Sequence, residues 1–163
     1  MLNNIRIASE LVKIAKSLVS EETNLLDKAA NKGKKYILHH RENGLWRIQA
    51  CKNFGDVHKG DFGGLVESED NLSHSGDCWV YRQAKVYGDA EVFASAKVYG
   101  SAEVYGRAEV YGDAKVYGDA EVYGDAQIYE NAKVYSSALV HGKVRVHGKA
   151  RVNYDADEGD ITE

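Results

Sequence analysis

The sequence predicts a mainly β protein whose chain winds into a stack of parallel coils, with a small α+β segment ahead of them. Three observations carry this. A six-residue unit recurs twelve times without an insertion from Ala84 to Asp155. The 16 glycines fall mostly at that same interval, and proline is absent. Tyrosine outnumbers phenylalanine 11 to three, and most tyrosines share one position of the unit.

From Ala84 the units read AKVYGD, AEVFAS, AKVYGS, AEVYGR, AEVYGD, AKVYGD, AEVYGD, AQIYEN, AKVYSS, ALVHGK, VRVHGK and ARVNYD. Degenerate units at residues 78–83, 72–74 and 66–68 extend the register backwards, to about fifteen in all. A period of six excludes an amphipathic helix. Val86, Val92, Val98 and Val104 would rotate around its surface, and each internal glycine would cost up to ~1 kcal/mol. An extended chain suits the unit better. In Ala84-Lys85-Val86-Tyr87, alternation sends Ala and Val to one side and Lys and Tyr to the other. Gly88-Asp89 then turns the chain. One such strand cannot bury its apolar side alone, so the corners must wind the chain back onto itself.

An aliphatic residue followed four positions later by a small one, every six residues, resembles the hexapeptide repeat of left-handed parallel β-helix proteins. The match runs from Val86…Ala90 through Val92…Ala96 and Val98…Ala102 to Val152…Ala156. The resemblance implies a single-stranded left-handed parallel β-helix of about five coils, three units to a coil. One departure is the tyrosine at a position that is often small in the family. Residues 46–50, 54–57, 60–64 and 71–73 are also similar to a phage and bacterial subgroup of these proteins, in which such a segment leads into the coils. The expected organisation is a helical segment at 1–33, a β-hairpin cap at 34–65, the repeats at 66–155 and a mobile acidic tail at 156–163.

With 18 residues per coil, three outward aromatic ladders follow. They are Tyr81, Tyr99, Tyr117 and Tyr135; Tyr87, Tyr105, Tyr123 and His141; and Phe93, Tyr111, Tyr129 and His147. Two readings fit them: structural stacking along the strands, or an aromatic strip for carbohydrate, nucleobases or protein. The charged positions also sort by face. Lys97, Lys115, Lys133 and Arg151 form one basic line beside Tyr99, Tyr117 and Tyr135. Four like charges in a column repel. The line is therefore a candidate site for a polyanion or an acidic partner, unless aspartates across the corner neutralise it.

Ahead of the repeats, Ile5 to Val19 has the apolar stripe of an amphipathic helix, with Asn3 or Asn4 as its cap and Leu11, Ile14, Ala15 and Leu18 as candidates for self-association. A second short helix is expected at Asn24–Ala30. Residues 36–40 and 45–48 flank Asn43-Gly44, a two-residue hairpin signal.

Residues 1–60 carry a balance of +5 and residues 61–163 one of −9, so net charge gives no strong nucleic-acid signal. No apolar run approaches the ~20 residues of a membrane span, and no leader sequence opens the chain. Cys51 and Cys78 fit neither a metal knuckle nor a disulfide framework. The expected setting is a bacterial cytoplasm or a phage virion.

The resemblance also raises a CoA-dependent acyltransferase, with a histidine as general base and a site between subunits. His141 and His147 are the only candidates in the repeats. They sit on different faces, and no loop interrupts the coils. His39-His40, alternating along a strand, are not expected to share a metal ion. The expectation is therefore a non-catalytic structural or binding protein without cofactor or metal. It would act as a homo-oligomer, as a virion accessory or host-interaction component.

Overall fold

The computed structural model describes residues 2–163, apart from the side chains of residues 2–5 and 27–28. The chain forms two compact units, residues 1–34 and 35–163.

The first unit is one helix, α1 (Leu2–Ala30), of 29 residues. Two helices were expected; there is no break between them. Residues 20–23 contain neither Pro nor Gly, and the Thr23 hydroxyl donates back to the carbonyls of Val19 (2.8 Å) and Ser20 (3.0 Å). Gly33, at φ +89°, follows the helix end. The expected caps Asn3 and Asn4 lie outside the described side chains. Ile7, Leu11, Val12, Ile14, Leu18, Val19, Leu25 and Leu26 are all more than half exposed. The longer helix adds Leu25, seven residues beyond Leu18, to the stripe.

The second unit opens with a hairpin, β1 (Tyr36–Glu42) and β2 (Leu45–Ala50), around Asn43-Gly44. Both turn residues have positive φ, +50° and +88°, which suits the twist of the paired strands. β3 (Phe62–Val66) pairs antiparallel to β2 and parallel to Lys85–Val86, so the hairpin continues one wall of the coils.

From Trp79–Val80 to Arg151–Val152 a two-residue strand recurs every six residues, and each as far as Lys133–Val134 pairs in parallel with the strand 18 residues on. The strands make three sheets, and the result is a parallel β-solenoid of about five turns. Bonds such as Lys97 N–H to Ala114 O (3.0 Å) and Tyr99 N–H to Val116 O (3.0 Å) tie coil to coil. Inside, the Val and Ala columns are closed to solvent: Val98, Val116, Ala96 and Ala114 are all at 0%. Trp79, Tyr36, Ile48 and Leu72 plug the first coil.

The corners explain the spacing of glycine. At Gly118, φ is +77° and a Cβ would stand 2.8 Å from the Ser136 carbonyl of the next coil. Ala94, Glu130 and Ser136 hold the same conformation without being glycine.

The acidic tail is not loose. Asp160–Ile161 pairs with Arg145–Val146, His147 N–H donates to Ile161 O (3.0 Å), and Arg145 meets Asp160 at 2.6 Å. Ala156 and Ile161 supply apolar side chains at the next inward positions, and that binds the segment to the stack.

Candidate functional site

All three aromatic ladders form. Within them Tyr87–Tyr105, Tyr99–Tyr117 and Tyr111–Tyr129 stack at 4.9–5.1 Å with planes within 3°. This spacing is set by neighbouring strands. Tyr105, Tyr111, Tyr117, Tyr123 and Tyr129 each have stacked rings on both faces, whereas Tyr81 meets Tyr99 edge-on, at 6.1 Å and 82°. Along the middle of the ladders a sugar or base therefore finds no open face to stack on, and the ladders read as structural. His141 and His147 complete this stacking at the last coil, on Tyr123 (5.0 Å) and Tyr129 (4.9 Å). They stand on different faces. His147 Nδ1 lies 4.0 Å from Glu130, a corner carboxylate that also accepts from Gly148 N–H.

The polar columns differ by face. On the Lys85 face, Lys85 meets Glu103 at 2.6 Å, and the hydroxyls of Tyr87 and Tyr105 donate to Glu103 and Glu121, each at 2.9 Å. Burial, then the hydrogen bond to Glu103, pushes the Tyr87 phenol up to about 12. On the Glu91 face, Gln127 donates to Glu109 (3.1 Å) and Arg145 pairs with Asp160. Both columns find much of their polar partnership among themselves.

The third column does not. Lys97, Lys115, Lys133 and Arg151 stack in register. Lys97 pairs with Asp56, which also accepts from the Tyr81 hydroxyl at 2.8 and 2.9 Å. The hydrogen bond from Lys97 holds the Asp56 carboxyl below its ordinary range, and burial with the Asp56 contact raises Tyr81 to about 12. Arg151 lies over the Tyr135 ring at 5.6 Å. Lys115 and Lys133 have no ion-pair partner among the described residues. The corner carboxylate Asp113, two residues before Lys115, does not pair with it.

A groove of about 760 Å³ runs between this column and the corner residues Asp77, Ser95, Asp113 and Asn131. Its lining carries five cations, with Lys149 added, against three carboxylates, with Glu163 added. The groove can thus hold negative charge along several successive coils. Asp56, which anchors the upper end of the column, was not found by sequence reasoning. It lies in the loop before β3, and no repeat spacing points to it.

Alternation misplaced one pair. A β-bulge between Leu38 and His40 breaks the side-to-side pattern, and His39 Nδ1 and His40 Nδ1 stand 2.7 Å apart. His40 continues to Glu42 (2.7 Å), and Glu42 to Arg47 (2.7 Å). Arg47, then His40, lowers the Glu42 carboxyl to about 2. Among the described residues no three His, Cys, Asp or Glu side chains come together as a metal site.

The chain matches no family model, and no curated protein matches it.

Proposed function

We propose that this protein is a non-catalytic β-solenoid scaffold of the hexapeptide-repeat type, wound left-handed, that binds an anionic partner along the Lys97–Arg151 column. One observation carries the reading: two outward columns draw carboxylates and amides into contact with their own cations or hydroxyls, while the third stacks four cations and leaves Lys115 and Lys133 unpaired beside a groove. Keeping like charges in line is unfavourable unless something else neutralises them. The exposed stripe of α1, with Leu11, Ile14, Ala15 and Leu18, joins copies of the chain. The resemblance of residues 46–50, 54–57, 60–64 and 71–73 to a phage and bacterial subgroup of hexapeptide-repeat proteins supports extending the role to a virion accessory or host-interaction component.

The test is binding to an immobilised sulfated polysaccharide. Lys115→Glu with Lys133→Glu removes two charge contacts from half-buried side chains, of up to ~1 kcal/mol each, so affinity falls by up to about thirtyfold. The affinity of the unaltered chain falls as salt rises. Equal affinity for both proteins refutes the assignment of the column.

A further inference from the structure

Among the described residues, Lys35 is the one charged side chain with no exposure at all. Its ammonium group has no carboxylate within ion-pair distance. Nζ instead donates to Cys78 O (2.9 Å) and Gly76 O (3.4 Å), lies 3.0 Å from Cys78 Sγ, and faces the Phe54 ring at 5.1 Å. Cys78 is equally closed to solvent, and its Sγ is 3.4 Å from Ser73 O. A buried lysine is normally held by an anion; here its neighbour is a thiol. Burial lowers Lys35 and raises Cys78, so both shift toward a neutral amine in contact with a neutral thiol.

The pair also has a particular place in the chain. Lys35 immediately precedes β1, and Cys78 immediately precedes Trp79–Val80, the first two-residue strand of the coils. A bond between them would join the hairpin to the first coil across 43 residues of sequence.

We propose that Lys35 and Cys78 form a redox-sensitive covalent staple, joined by a peroxide through one oxygen as Nζ–O–Sγ. The Lys35 amine takes the Cys78 thiol proton across the 3.0 Å contact, and the thiolate sulfur gives an electron pair to one hydrogen peroxide; the departing hydroxide recovers that proton as water, which leaves Sγ–OH beside an amine that is neutral again. The neutral amine takes the oxygen of a second peroxide, giving a hydroxylamine and water. The hydroxylamine oxygen then attacks Sγ and the sulfenic hydroxyl leaves as a third water. Nitrogen and sulfur are each oxidised, and two peroxides are reduced. The present separation favours this bridge over a direct N–S bond, since two single bonds through oxygen span nearly the observed distance. A direct bond would draw both atoms well inside it, against a packed core.

The experiment uses the full chain with Cys51→Ser, treated with hydrogen peroxide and read by intact mass and peptide mapping. The expected product is heavier by one oxygen and lighter by two hydrogens. Its Lys35 and Cys78 peptides are joined, its melting temperature is raised, and dithiothreitol reverses both changes. Lys35→Met in the same background gives no joined peptide, and Cys78 oxidises onward to the sulfinic acid. Oxidation of Cys78 without a joined peptide when Lys35 is present, or a thiol that stays unreacted, overturns the proposal. The Lys35-containing protein alone decides between these outcomes, whether or not the methionine variant folds.

Discussion

Gly118→Ala probes the contact between coils. Gly118 sits at φ +77°, and an added Cβ meets Ser136 O at 2.8 Å and Ser136 N at 3.0 Å. Two costs follow. The left-handed conformation costs a residue with a Cβ roughly 1–2 kcal/mol. The clash must push the next coil by a few tenths of an ångström, loosening the bond from Asp119 N–H to Ser136 O (2.8 Å), at about 1 kcal/mol. The sum is about 2–3 kcal/mol. Gly159→Ala is the control, because Gly159 has φ +94° and nothing within 4 Å of its Cβ position. It bears the conformational cost alone, roughly 1–2 kcal/mol. Urea denaturation measures both, through the midpoint at unchanged slope. Equal losses for the two variants would refute the stacking of corner on corner.

Three further outcomes are expected. Tyr81 and Tyr87 titrate near 12 in an ultraviolet difference titration; the stability they give is complete below the unfolded value of about 10 and lost as pH rises from there to about 12. Asp56→Asn lowers the Tyr81 value and leaves Tyr87 in place. Leu11→Asp with Leu18→Asp reduces the particle mass in light scattering; an unchanged mass removes α1 from any role in self-association.

The solenoid was legible because the repeat leaves little choice: Val98 and Val116 have one inward side, and 18-residue register places one above the other. The three ladders followed from the same arithmetic. Sequence reasoning failed where the period failed. The bulge at Leu38–His40 turned two histidines to one side, which alternation forbids. The helix ran through residues 20–23 because Ser20, Glu21, Glu22 and Thr23 include no breaker, and the Thr23 hydroxyl stays on the helix's own carbonyls, a contact that a hydrophobic stripe does not reveal. Asp56 reached Lys97 from 41 residues away, and Lys35 reached Cys78 from 43. Neither pair shares a motif, so only the folded chain brings them together. In the basic column, position was readable from the units. The lack of partners for Lys115 and Lys133 was not, because pairing depends on the direction in which Asp113 points.

The fold rests on a three-sided, 18-residue coil, and methyl–methyl nuclear Overhauser contacts in selectively labelled protein report its register. Cross-peaks linking Val98 to Val116 and Val116 to Val134 in one column are the expected result. Contacts at 12-residue separation, Val98 to Val110 and Val110 to Val122, in place of these would contradict it.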